Sequence, residues 1–172
     1  FLQRISIALA LFMTVAAPAS LANEALEAEV KAVYDSKLKE LFLYFHQNPE
    51  LSTMEHKTSA RLADELTALG YTVHRNVGGT GIVALLENGK GPLVMFRADM
   101  DGLPVEEKSG LAYASRAKQV DPNGNEVFVM HACGHDVHIT SLVGTAQLMA
   151  GKRDQWQGTL MLIGQPAEER VL

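Results

Sequence analysis

The segment MHACGHDVH, Met130–His138, gathers three of the chain's six histidines and its one cysteine. Cys133 and His135 stand one residue apart, so on a turning segment a thiolate and an imidazole can face a common centre, and both are good ligands for zinc and other borderline metals. By itself the pair reads equally well as a buried thiol beside a loop histidine. Glu168 and Glu169 follow an apolar run that ends in Gln165 and Pro166. Next to a dication, one carboxylate of such a pair can ligate while the other takes a proton from metal-activated water; a solvated acidic turn is the ordinary alternative. Asp99 and Asp101 end another apolar run, where they could support a ligating histidine from behind, ligate directly or make a strand-end turn. Arg97, inside that run, could neutralise neighbouring carboxylates. Asp136 and His138 flank His135 and could orient a ligand or substrate. His131 reads as a satisfied loop histidine, and His46, His56 and His74, which lie in helix or strand patterns with no polar companions, as structural. The patterns H-E-x-x-H, G-x-G-x-x-G and the P-loop are absent. A thiol nucleophile, Cys133 with a histidine, stays open.

These residues need elements to place them. Apolar residues at three-to-four spacing predict a helix over Glu24–Gln47, broken by NPELS. A second helix is expected over Met54–Leu69, capped by Ser52 or Thr53 with Glu55 close behind, and ended by Gly70. Strands are expected at 71–75, 80–87 and 92–99, with NGKG between the last two as a hairpin signal. Residues 102–125 read as irregular, 126–130 as a strand and 158–165 as a buried strand. Between these last two lies a helix over 137–151, with Asp136 as N-cap and Gly151 as stop. That order implies an α/β fold with a sheet of mixed direction. The three polar clusters each follow an expected strand, and ligands of open α/β sheets collect beyond the strands' carboxyl ends. Parallel strands there would bring the clusters to one site.

With 47% hydrophobic residues, 172 residues suffice for about one domain with a real core. A net charge of −5 and no basic run argue against a nucleic-acid partner. Arg4, the apolar run Ile5–Ala17 and the small residues Ser20 and Ala22 form the pattern of a secretory signal over residues 1–22, cleaved near Ala22–Asn23. The run is shorter than the ~20 residues a membrane-spanning helix needs, so no stable anchor is expected after cleavage. Residues 23–172 would then be exported, to a periplasm or the outside. A single cysteine cannot form an internal disulfide, so in an oxidising compartment it suggests burial, ligation or reactivity.

Taken together, RADMDGLPVEE (97–107), MHACGHDVHITSLVG (130–144) and GTLMLIGQPAEER (158–170) closely resemble the M20 metallopeptidase family, in its amidohydrolase branch of hippurate hydrolases, auxin-conjugate hydrolases and N-acyl-diaminopimelate deacetylases. FHQNPELSTMEHKTSARLADELTALGY (45–71) is similar to that branch's N-terminal helices. The resemblance implies a mixed-sheet, zinc-exopeptidase-like catalytic domain, present in part, whose lid domain lies beyond this chain. It implies Cys133, His135 and Glu169 as metal ligands and Glu168 as the general base. Asp99 falls where related branches have the Asp of H-x-D, and Arg97 stands where those branches place a ligating His. Two divalent ions are implied, zinc or manganese, with cobalt or nickel as alternatives. The implied substrate is a small N-acyl amino acid or dipeptide-like amide. The full-length form is expected to be a homo-oligomer through its lid domain, and the 172-residue piece to be inactive alone.

Overall fold

The computed structural model describes residues 19–170, with side chains from Glu24 onward. Helix α1 (Ala19–Val33) passes through a π-helical turn at Tyr34–Leu38 into α2 (Lys39–Gln47). Most of the expected leader, residues 1–22, lies outside the described residues, and the expected cleavage junction Ala22–Asn23 falls within α1. No described helix is long and apolar enough to cross a membrane.

Helix α3 spans His56–Ala68. Its cap differs from the expected Ser52 or Thr53. The Glu50 carboxylate accepts from Lys57 N (3.1 Å), Thr58 N (2.7 Å) and Thr58 Oγ1 (2.9 Å), placing a negative charge at the helix's positive end. Ser52 is already committed, its hydroxyl donating to Asp101 at 2.6 Å. The other end is as expected. Gly70, at φ +86°, lets its own N–H reach Thr67 O and the Tyr71 N–H reach Leu66 O, a Schellman closure.

Strands β1 (Thr72–Val77), β2 (Gly81–Asn88), β3 (Leu93–Asp99) and β6 (Gly158–Gln165) form one mixed sheet in the order β1-β2-β6-β3. β6 runs antiparallel to β2 and parallel to β3. The NGKG hairpin therefore does not form, because β6 inserts between the two strands it would have paired. The tight connection lies instead between β1 and β2, where Val77 pairs with Gly81. Helix α4 (His135–Gly151) supplies the long crossover that a parallel β3–β6 pair requires.

A second difference concerns residues 126–130. Only β5 (Glu126–Phe128) is strand, and it pairs with β4 (Lys118–Val120) in a separate two-stranded ribbon. The segment 102–125 is thus not wholly irregular.

The core lies between one face of the sheet and the helices. Ile82, Ala84, Leu86, Leu160 and Leu162 meet Leu62 and Leu66 of α3 and Ile139, Leu142 and Val143 of α4, all buried. Behind α4, Leu38, Leu41 and Phe45 extend the same cluster. Burial in β6 alternates strictly, so its other side chains (Met161, Ile163) reach the opposite, half-exposed face.

Candidate metal centre

β3 and β6 end side by side, Asp99 paired with Gln165, and the Met100 N–H donates to Gln165 O at 3.0 Å. The acidic segments that follow them are thereby neighbours, as two parallel strands would require. The His135 segment arrives differently. Leu103 and Met130 exchange backbone hydrogen bonds of 2.9 and 3.1 Å, which draws residues 130–135 against the end of β3. Gly134, at φ +78°, then turns the chain into α4, and His135 opens the helix. Asp136, expected as the N-cap, sits inside the first turn.

His135 is buried, and its Nδ1 lies 2.8 Å from the carbonyl oxygen of Asp101. A carbonyl can only accept, so Nδ1 carries a proton, and in the neutral ring Nε2 is the nitrogen left with a lone pair. Around Nε2 stand Glu168 Oε2 at 3.7 Å, Glu169 Oε1 at 3.8 Å and Asp99 Oδ2 at 3.9 Å. Two sets of ligand atoms each close to within 4.8 Å among the described residues: His135, Glu168 and Glu169, and Asp99, His135 and His138. His138 Nδ1 is 3.6 Å from Asp99, and its ring stacks on that of His135. A neutral imidazole with its free nitrogen among carboxylates, and its other nitrogen fixed by a carbonyl, fits a divalent cation.

Asp101 does more than orient the histidine. Its carboxylate accepts from Ser52 Oγ (2.6 Å), Glu168 N (3.2 Å) and Glu169 N (3.0 Å). Burial opposes its ionisation, but the His135, Ser52 and Glu169 bonds outweigh it and bring the carboxyl down to about 2. Burial likewise works against a protonated His135, and the bonds to Asp101 overcome it, raising that imidazole above its ordinary value. The turn that carries the glutamates has Ala167 at φ +53°, a left-handed geometry that costs an alanine about 1 kcal/mol. Glu55 accepts the Ala167 N–H at 2.8 Å.

Arg97 pairs with Asp99 and donates to Gln165 Oε1 at 2.7 Å, so it ties the two strand ends together. Cys133 is exposed at the rim, outside both close sets of ligand atoms. A hydrogen bond with Glu169, then burial and the nearby carboxylates, push its thiol pKa up. That is the reverse of what activates a cysteine nucleophile.

Asp136 is not brought to this cluster. Its carboxylate lies 2.7 Å from His46 Nδ1, while His46 Nε2 lies 3.3 Å from Glu107. His46 is therefore not the partnerless histidine its helical setting suggests; it bridges two buried carboxylates across α2, α4 and the loop after β3. His131, expected to be a satisfied loop residue, is buried with neither ring nitrogen hydrogen bonded, and burial holds its pKa near 4. Sequence reading also missed Glu55 and Ser52 as supports of the site. Nothing local marks them, since their partners lie far along the chain.

The ends of β3 and β6 in this mixed α/β sheet thus converge with the start of α4 on an acid–histidine cluster whose donors suit a divalent cation. Residues 95–171 match Peptidase family M20/M25/M40. It is 41% identical over 148 residues to thermostable carboxypeptidase 2 of Saccharolobus solfataricus, covering 85% of this chain and 35% of that protein. To the N-acetyl-L-cysteine deacetylase of Bacillus subtilis it is 40% identical over 127 residues, covering 73% and 28%. Among solved structures, the YXEP protein of Bacillus subtilis, a dinuclear metal binding peptidase from the M20 family, superposes with a TM-score of 0.70 at 33% identity, covering 80% of this chain and 36% of that one. The chain spans about a third of the length of these relatives.

Proposed function

We propose that these residues form the first part of the catalytic domain of a metal-dependent amidohydrolase that cleaves small N-acyl amino acids or related amides. The observation that carries this is His135 Nε2, free and ringed by Glu168 and Glu169 at 3.7 and 3.8 Å, with Asp101 fixing its tautomer. His135, Glu169 and the rim thiolate of Cys133 would hold divalent ions. The dinuclear relative supports two; zinc, manganese, cobalt or nickel would each suit this mixed donor set. Bound there, such ions lower the pKa of water and polarise a carbonyl.

Glu168 is the general base in this reading. Its side chain is 40% exposed against 19% for Glu169, so it reaches the open side of the site where a substrate would lie. It takes a proton from the attacking water and returns it to the leaving amine. The acyl and amino-acid preference belongs to parts of the protein outside this segment. Such further chain would also cover the sheet's apolar outer face, carry the remaining ligands and, as a lid, pair copies of the protein. The Arg4–Ala22 pattern supports export.

The test is turnover of N-acyl amino acids by the full-length protein. Glu168→Gln is expected to lower kcat by roughly 100-fold or more while leaving metal content unchanged, and chelation should abolish activity until a divalent ion is restored. Turnover that survives thorough metal removal would sink the reading.

A further inference from the structure

Three consecutive N–H groups of the turn after β6 end on two buried carboxylates: Ala167 N on Glu55, and Glu168 N and Glu169 N on Asp101. The tie between Asp101 and His135 explains why Asp101 is there. Glu55 has no such tie. It lies just before α3, fully buried at 0% exposure, and 112 residues separate it from Ala167. A carboxylate at that depth is tolerated only with a full set of donors. Glu55 has three, all neutral: Thr53 N at 2.9 Å, Ala167 N at 2.8 Å and the hydroxyl of Thr80. Two of them come from distant elements, the start of β2 and the turn after β6.

We propose that Glu55 is a positioning residue: it clamps Ala167 in its left-handed conformation and so sets the direction in which Glu168 and Glu169 leave the strand. An alanine relaxes to negative φ unless its surroundings forbid it. Rotation there would swing the next peptide away from Asp101 and carry both glutamates away from His135. The proposal rests on Glu168 and Glu169 having the roles assigned above. Its chemistry is that of a rigid buried acceptor, so what matters is the reach of the side chain and an oxygen at its tip, rather than its charge.

That distinction gives the test, made on the full-length protein. Glu55→Gln keeps an oxygen for the Thr53 and Ala167 amides and offers its NH2 to Thr80, so it should stay within about 3-fold of the parent. Glu55→Ala should lower kcat and divalent-metal affinity by roughly 10–100-fold, the usual range for a group behind a ligand. Amide hydrogen exchange, read without metal or substrate, should quicken over residues 166–170 and stay unchanged over α4. Adding Ala167→Gly to Glu55→Ala should recover part of the lost kcat and metal affinity, because glycine holds positive φ unaided. If Glu55→Ala does not fold, Glu55→Asp, which keeps the charge but shortens the reach, should show the same local change. Unchanged exchange over 166–170 overturns the clamp, as do equal losses in Glu55→Gln and Glu55→Ala with no recovery by glycine. Full turnover by Glu168→Gln would instead overturn the role of Glu168, and the exchange measurement would still decide the clamp.

Discussion

β2 and β3 are nearly equal in apolar content and lie on either side of the same strand, yet they meet opposite environments. In β2, Ile82, Ala84 and Leu86 are at most 1% exposed. In β3, Leu93, Val94, Met95 and Phe96 are 42–59% exposed. Register shows why. Val94 and Phe96 pair with Leu160 and Leu162 and so share their face, but helical cover reaches β3 only at its C-terminal end, at Ala98 and Met100. Leu93 and Met95 share the opposite face, where Val83, Leu85, Met161 and Ile163 are half-buried. A strand apolar on both faces belongs inside a sheet with both sides covered, and a contiguous exposed patch marks a surface that another segment meets. The end of β3 that is covered is also the end that builds the candidate metal centre.

The sharpest way to break this comparison is truncation on the covered face. Leu162→Ala, at a site with 0% exposure between α3 and α4, should cost about 3 kcal/mol in denaturant unfolding; a loss below about 1 kcal/mol would mean the face is looser than described. Gly164→Ala comes next. A methyl there would meet Met100 Sδ at 2.8 Å, Ile82 Cγ1 at 2.9 Å and Leu62 Cδ2 at 3.0 Å, so overpacking of about 2 kcal/mol is expected. A stability equal to the parent's would show that these neighbours can move.

Tyr71 probes the same side by pH. Burial is the main cause that raises its phenol from 10.0 to about 12, and its hydroxyl donates to Ala146 O at 3.1 Å. A folded-state pKa above the unfolded one stabilises fully below pH 10, and that contribution is lost as pH rises towards 12. After allowance for solvent screening it amounts to about 1–2 kcal/mol. Tyr71→Phe should flatten the alkaline limb of the stability profile, and an unchanged limb would refute the assignment. The smallest effect belongs to β3. Met95→Lys should change the stability of this segment by less than about 0.5 kcal/mol. A larger loss would mean that the outer face of β3 is already covered.

Much of this was readable beforehand, for identifiable reasons. The helix over 56–68 is marked by apolar spacing and Gly70, the helix over 135–151 by Gly151, and the strand over 158–165 by a continuous apolar run. Local chemistry misled where a distant group outcompeted it. NGKG is a good hairpin signal, but β6 pairs along nearly the whole length of both β2 and β3 and so stands between them. Ser52 is a good cap, but Asp101 takes its hydroxyl and Glu50 takes its place. His46 looked isolated because its partners lie 61 and 90 residues away.

The sequence by itself determined the candidate donors, Cys133, His135, Glu168 and Glu169, although a buried thiol or a solvated acidic turn has the same local pattern. It also determined the α/β class, through periodicity that short-range forces impose. Only the tertiary structure decided which nitrogen of His135 is free, which carboxylates support the site, and that Glu55 and Asp101 together hold the turn between the strand and the two glutamates. Those outcomes depend on hydrogen bonds between segments far apart in the chain, whose partners are chosen by packing rather than by neighbours in sequence.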